Sequence, residues 1–195
     1  MEKFLSFFFF LLLSLSFKNI TYAQQEIETC FTFIEVGAYK KAVEIGKLAI
    51  KKYPKNSNAY GCLGYAYYTL GELKPAYENL TKAETLAKNK KELMYIYNIM
   101  GKIEHSLGNL DDALFYYNKS LNLAKDLDNT DYQVDILNNM GKIYRSKRTL
   151  NKALSCYVKA LSLEIKNKYP FITIFLLYIA KEMILKRLLK TYKRL

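Results

Sequence analysis

One phrase occurs three times in this 195-residue chain: Tyr60-Gly-Cys-Leu63-Gly64-Tyr-Ala-Tyr67, Tyr97-Asn-Ile-Met100-Gly101-Lys-Ile-Glu104 and Leu137-Asn-Asn-Met140-Gly141-Lys-Ile-Tyr144. Twelve residues after each glycine stands an alanine (Ala76, Ala113, Ala153), and four beyond that an apolar or aromatic residue (Leu80, Tyr117, Tyr157). Recurrence at a period of tens of residues marks a stacked array, in which each unit buries its apolar face only against its neighbours. Composition selects helices as the stacked elements. The chain is 51% hydrophobic but has only 3 Pro and 8 Gly, too few for the frequent turns of a β-sandwich. The fold class read from this pattern is all-α.

The order aromatic-x2-Leu-Gly-x2-Tyr, then Ala-x3-aromatic, resembles the tetratricopeptide repeat. Tyr60, Leu63, Gly64, Tyr67, Ala76 and Leu80 give the best copy, with Tyr in place of the usual Trp. The resemblance implies a right-handed α-solenoid of stacked antiparallel helix pairs. Gly64, Gly101 and Gly141 on first helices, with Ala76, Ala113 and Ala153 on second helices, are small where the paired helices cross. Gly71 and Gly108 are read as left-handed caps ending first helices. Arg148 holds that place in the fourth repeat, so a less tight turn is expected there.

The alanine series Ala42, Ala76, Ala113, Ala153 steps by 34, 37 and 40 residues. It divides the array, residues 24–168, into repeats of about 24–56, 57–90, 91–130 and 131–168. The first is degenerate, with Cys30 in the glycine's place. Residues 169–195 are read as a fifth, truncated repeat: Ala180 falls in the small slot 39 residues after Gly141, with no turn glycine following.

The two ends differ from the array. Lys3 precedes an apolar run from Phe4 to Phe17, and Thr21-Tyr22-Ala23 supplies small residues where a signal peptide is cut. The run is too short for a membrane span, so residues 1–23 are read as a signal peptide, with an uncleaved N-terminal anchor as the alternative, and the chain as exported, to a bacterial periplasm or envelope or secreted. Net charge is +12, and residues 165–195 concentrate it, with eight Lys or Arg against Glu182 alone. Ile179, Met183, Ile184, Leu188, Leu189 and Tyr192 recur at helical spacing opposite basic residues. Closing the end of the array is the preferred role of that stripe; residues 181–195 on an anionic membrane surface are the alternative. The repeats themselves are only mildly basic, so nucleic acid is not an expected partner.

Chemistry is sparsely provided for. His105 is the one histidine, and no nucleophile motif, carboxylate pair or phosphate loop accompanies it. Neither enzymatic activity nor a cofactor nor a metal is expected. Asn79 and Asn118 match the glycosylation sequon but fall within predicted helices. Cys30, Cys62 and Cys156 show no metal spacing; they read as small buried hydrophobes, with a Cys30–Cys62 disulfide between adjacent repeats as the alternative.

In the family resembled, first helices line a concave groove. That places Gly61, Tyr65 and Tyr68 of the second repeat on an apolar, stacking surface. Asn98, Lys102 and His105 of the third, and Asn138, Lys142 and Arg145 of the fourth, would form a polar, cationic one. Asn can bond a peptide backbone as donor and acceptor, and Lys can meet a carboxylate. The expected function is an exported, non-enzymatic scaffold or adaptor for a peptide or protein. The competing expectation is the sensing region of an envelope signalling protein.

Overall fold

The computed structural model of the chain describes residues 25–168; the signal-peptide and fifth-repeat readings of 1–23 and 169–195 lie outside them. Every regular element among the described residues is a helix. Helix α1 covers 25–35. It is followed by α2 (Tyr39–Lys52), α3 (Ser57–Thr69), α4 (Leu73–Leu86), α5 (Lys90–Leu107), α6 (Leu110–Asp126), α7 (Thr130–Ser146) and α8 (Leu150–Lys168). The described residues divide into two compact units, with the boundary between Leu123 and Ala124, near the end of α6.

Helices α3, α5 and α7 begin on asparagine. Asn56 Oδ1 accepts from Asn58 N–H at 2.9 Å, Asn89 Oδ1 from Glu92 N–H at 3.0 Å, and Asn129 Oδ1 from Tyr132 N–H at 3.1 Å. Each occupies a backbone donor that the first helical turn leaves without a partner, worth about 1 kcal/mol. At Asn89 the capping is reciprocal, because Glu92 Oε2 accepts from Lys88 N–H at 2.9 Å.

The odd-numbered helices end in one recurring turn. Gly37, Gly71 and Gly108 adopt left-handed φ of 75°, 80° and 83°. In the last of these, Gly108 N–H donates to His105 O at 3.1 Å and Asn109 N–H to Glu104 O at 2.9 Å. Arg148 corrects the expectation of a looser fourth turn. Its φ is 57°, Arg148 N–H donates to Arg145 O at 3.0 Å and Thr149 N–H to Tyr144 O at 2.9 Å. The two carbonyl bonds of this cap hold a non-glycine residue in the conformation that glycine adopts without strain.

Within each pair the helices approach through the small residues. A Cβ on Gly64 would stand 2.8 Å from Leu80 Cγ, one on Gly101 2.8 Å from Tyr117 Cδ1, and one on Gly141 2.6 Å from Tyr157 Cε1. Ala76, Ala113 and Ala153 are buried on the facing helices. Two buried serines tie paired helices further: Ser57 Oγ donates to Ala83 O at 3.0 Å and Ser120 Oγ to Met94 O at 2.7 Å. In the first unit one core cluster gathers Leu80 and Ala83 of α4 with Ile96, Ile99, Met100 and Ile103 of α5, and Tyr67 packs against it. A second gathers Ile34, Val43, Leu63 and Ala66 from α1, α2 and α3.

The cysteines resolve in favour of a bond. Cys30 of α1 and Cys62 of α3 form a disulfide with Cα atoms 6.3 Å apart, and both are fully buried. The glycine slot of the degenerate first repeat thus holds a covalent link to the second repeat. Cys156 is a free thiol, buried in α8, and burial pushes its pKa up, which suits a packing role and not a reactive one.

Candidate protein-interaction surface

Four aromatic rings meet on the odd-numbered helices of the first unit. Phe31 of α1 and Tyr65 of α3 both pack edge-on against Tyr95 of α5, at centroid separations of 5.5 and 6.0 Å. Tyr68 stacks on Tyr65 at 6.2 Å, with the planes 17° apart. All four are half-buried. Tyr65 and Tyr68 are the residues the repeat register singled out, whereas Phe31 and Tyr95 escaped it. Phe31 lies in a repeat that lacks the phrase, and Tyr95 stands two residues before its phrase begins. Gly61 lies under Tyr95, where an added Cβ would sit 3.8 Å from Tyr95 Cε1. The disulfide adjoins this cluster in sequence, with Phe31 next to Cys30 and Tyr65 one turn beyond Cys62.

Polar members of the expected groove fare differently. Asn98 is only 3% exposed, which corrects the expectation that it faces a partner. Every residue from Ile96 to Gly101 is buried, so this stretch of α5 is enclosed on all sides and has no open polar face. Lys102 and His105, one and two turns on, are half-buried. In the second unit Asn138 is half-buried, and Lys142 and Arg145 are exposed on α7. Lys142 Nζ donates to Asn139 Oδ1 at 3.2 Å, and Asn139 Nδ2 to Asp135 Oδ1 at 3.3 Å. This relay orients the ammonium on the helix surface, where its remaining donors can meet an acidic group.

A second aromatic group serves the interior. Tyr97 of α5 donates to Glu84 Oε1 of α4 at 2.8 Å. Lys119 of α6 places its Nζ 3.7 Å from the Tyr97 ring centroid and 3.6 Å from Glu84 Oε1. Tyr116 stacks on Tyr97 at 6.2 Å and shares a 2.9 Å hydrogen bond with Tyr77. Burial raises the Tyr97 phenol pKa against the lowering influence of Lys119. Burial, then the bond to Tyr77, raises that of Tyr116 well above the ordinary tyrosine range. These groups fasten α4, α5 and α6 together and satisfy one another.

Among the described residues, no group of three or more His, Cys, Asp or Glu side chains is placed to hold a metal ion. No helix among them is long and apolar enough to cross a membrane. The amides of Asn79 and Asn118 donate to the carbonyls of Pro75 and Leu114, each one turn back and each at 2.8 Å. A cleft of about 530 Å³ opens beside Lys52, Lys55, Lys88 and Glu92. Of these, Lys52 pairs with Glu26 at 3.0 Å and Glu92 is spent on the α5 cap.

Comparison with known proteins agrees with this architecture. Residues 92–164 match the family model of the tetratricopeptide repeat. The TPR repeat-containing protein MJ1428 of Methanocaldococcus jannaschii is 31% identical over 106 residues, covering 54% of this chain but 16% of that protein. The chain thus spans about a sixth of that relative. MamA, in a crystal structure, superposes with a TM-score of 0.60 at 22% identity, over 74% of this chain and 80% of MamA. TTC0263, a thermophilic TPR protein of Thermus thermophilus, superposes with a TM-score of 0.58 at 21% identity, over 82% of this chain and 80% of its own. BtubC from P. vanneervenii gives 0.64 at 18% identity, over 75% and 65% of the two chains. The fold is that of the TPR solenoids, all-α and built of stacked helix pairs, and the stretch 92–164 carries the tetratricopeptide signature in its sequence as well.

Proposed function

We propose that this protein is an exported, non-enzymatic interaction module that holds a peptide or protein segment on the faces of its odd-numbered helices. The observation that carries this reading is the cluster of Phe31, Tyr65, Tyr68 and Tyr95, half-buried rings drawn from three successive repeats. Rings of this kind supply large contact area at low entropic cost, and Tyr adds a hydroxyl for hydrogen bonding at the contact's edge. The second unit adds its own contact, through Lys142 and Arg145 of α7. Two cations three residues apart on one helix suit an acidic or carboxylate-bearing segment. Lys102 and His105 extend the same preference to α5.

Two independent features support export. The N-terminal apolar run has the layout of a signal peptide, and the Cys30–Cys62 bond is of a kind that persists in oxidising compartments. The test pairs two variants of the exported chain against a partner captured from its own envelope. Tyr65→Ala with Tyr68→Ala should weaken binding at all salt concentrations. Lys142→Glu with Arg145→Glu should weaken it most at low salt, where surface charge acts furthest. Unchanged affinity in both variants would remove the assignment.

A further inference from the structure

Two lysine-rich turns of the first unit face one another across a cleft. Residues 51–58 carry Lys51, Lys52 and Lys55, and residues 86–91 carry Lys88, Lys90 and Lys91, with no acidic residue in either stretch. The corresponding turn at 124–131 has the opposite character, with Asp126, Asp128 and Asp131 against Lys125. The cationic charge therefore belongs to this pair of turns and not to every repeat boundary. The cleft between them has a volume of about 530 Å³, within the range of small-ligand sites. Lys52, Lys55 and Lys88 line it together with Tyr53, Pro54 and Leu86, so cations stand beside an apolar wall.

Acidic side chains at this edge are already engaged. Glu26 pairs with Lys52 at 3.0 Å, and Glu92 accepts from Lys88 N–H and from Asn89 Nδ2, each at 2.9 Å. No carboxylate among the described residues pairs with Lys55 or Lys88. The walls are also fixed in advance. Ser57 Oγ donates to Ala83 O at 3.0 Å, joining the start of α3 to the end of α4, and Asn56 N–H closes the turn onto Tyr53 O at 3.1 Å. Preformed walls lower the ordering cost of binding. The first turn of α3, from Asn56 to Asn58, lines the cleft too and adds the positive end of its helix dipole. We propose that this cleft binds a small organic anion, with a flat apolar body against Tyr53, Pro54 and Leu86 and a carboxylate or phosphate head held by Lys55 and Lys88. The two ammonium groups donate charge-assisted hydrogen bonds to the head, and the Tyr53 ring offers the body a stacking face. No residue of the aromatic cluster on the odd-numbered helices lines the cleft, so the proposal is independent of the peptide-binding reading.

Titration of the isotope-labelled full chain with phenyl phosphate, benzoate and inorganic phosphate, followed by amide shifts, tests it. At least one ring-bearing anion should give saturable shifts in residues 52–58 and 86–92 and none in 124–131, and the tighter of the two identifies the head. It should bind about tenfold more tightly than inorganic phosphate, the factor expected for covering one ring face. Lys55→Glu/Lys88→Glu alters two exposed side chains and should weaken binding by about tenfold or more with the thermal midpoint unchanged. Tyr53→Ala should erase the advantage of the ring and leave the affinity for inorganic phosphate as it was. Shifts that never saturate, that appear equally in 124–131, or that persist in Lys55→Glu/Lys88→Glu would overturn the proposal. So would equal affinity for phenyl phosphate, benzoate and inorganic phosphate.

Discussion

Removing the Cys30–Cys62 bond is expected to loosen the first repeat from the array while leaving the last one intact. The bond closes a segment of 32 residues, and the chain-entropy relation for such a loop gives about 3.7 kcal/mol at 25 °C. In an array whose stability is a sum of neighbour contacts, this stabilisation falls where it is most needed. Helix α1 lies at the end of the described residues, has a degenerate repeat sequence, and is joined by the bond to α3. Both sulfurs are fully buried, so reductant reaches them only through opening, and the paired variant Cys30→Ala/Cys62→Ala is the cleaner perturbation. Its thermal midpoint should fall by roughly 7–15 °C for a chain of this size. Hydrogen exchange should quicken in α1 and α2 and stay unchanged in α7 and α8. A parallel thiol assay bears on the premise: the unreduced, unfolded protein should show one reactive thiol, Cys156, and three after reduction. Three thiols without reductant, or a variant as stable as the wild type, would refute the reasoning.

Other expectations follow from local geometry. Arg148→Gly should stabilise the second unit by about 1 kcal/mol, because glycine relieves the left-handed φ that Arg148 adopts, less its own chain entropy; urea unfolding of the two proteins measures this. Gly101→Ala should cost about 1–3 kcal/mol, since the new Cβ would meet the buried Tyr117 ring at 2.8 Å; thermal melts show the loss. Alkaline pH should destabilise the first unit. Tyr116 has its folded pKa raised above the ordinary 10.0, so its contribution is complete below pH 10 and is lost as pH rises towards the folded value. Tyr116→Phe should flatten the fall in stability above pH 10, and an unaltered slope would count against that origin.

Much of this was written in the sequence, for a reason tied to repetition. Gly64, Gly101 and Gly141 recur because each pair of helices meets the same steric demand, and three copies of one demand are hard to mistake. The turn at Gly108 was legible because glycine alone adopts its φ freely. Arg148 was not, since two carbonyl hydrogen bonds override its local preference. The disulfide was hidden by an odd cysteine count and by a first repeat that lacks the phrase. The aromatic cluster was half legible, as Tyr65 and Tyr68 sit in register whereas Phe31 and Tyr95 join it only through packing across three helices. Asn98 was misplaced because helical periodicity assigns a face without saying how many neighbours enclose the helix.

The central claim is that partners meet the odd-numbered helices. A photo-crosslinking residue placed at Tyr68 or at Arg145, in the protein expressed in its own cell, tests it most directly against controls at Leu48 and Phe115, exposed on the even-numbered helices α2 and α6. The account predicts covalent adducts to the same partner from positions 68 and 145 and none from 48 or 115. Adducts from Leu48 or Phe115 alone would contradict it.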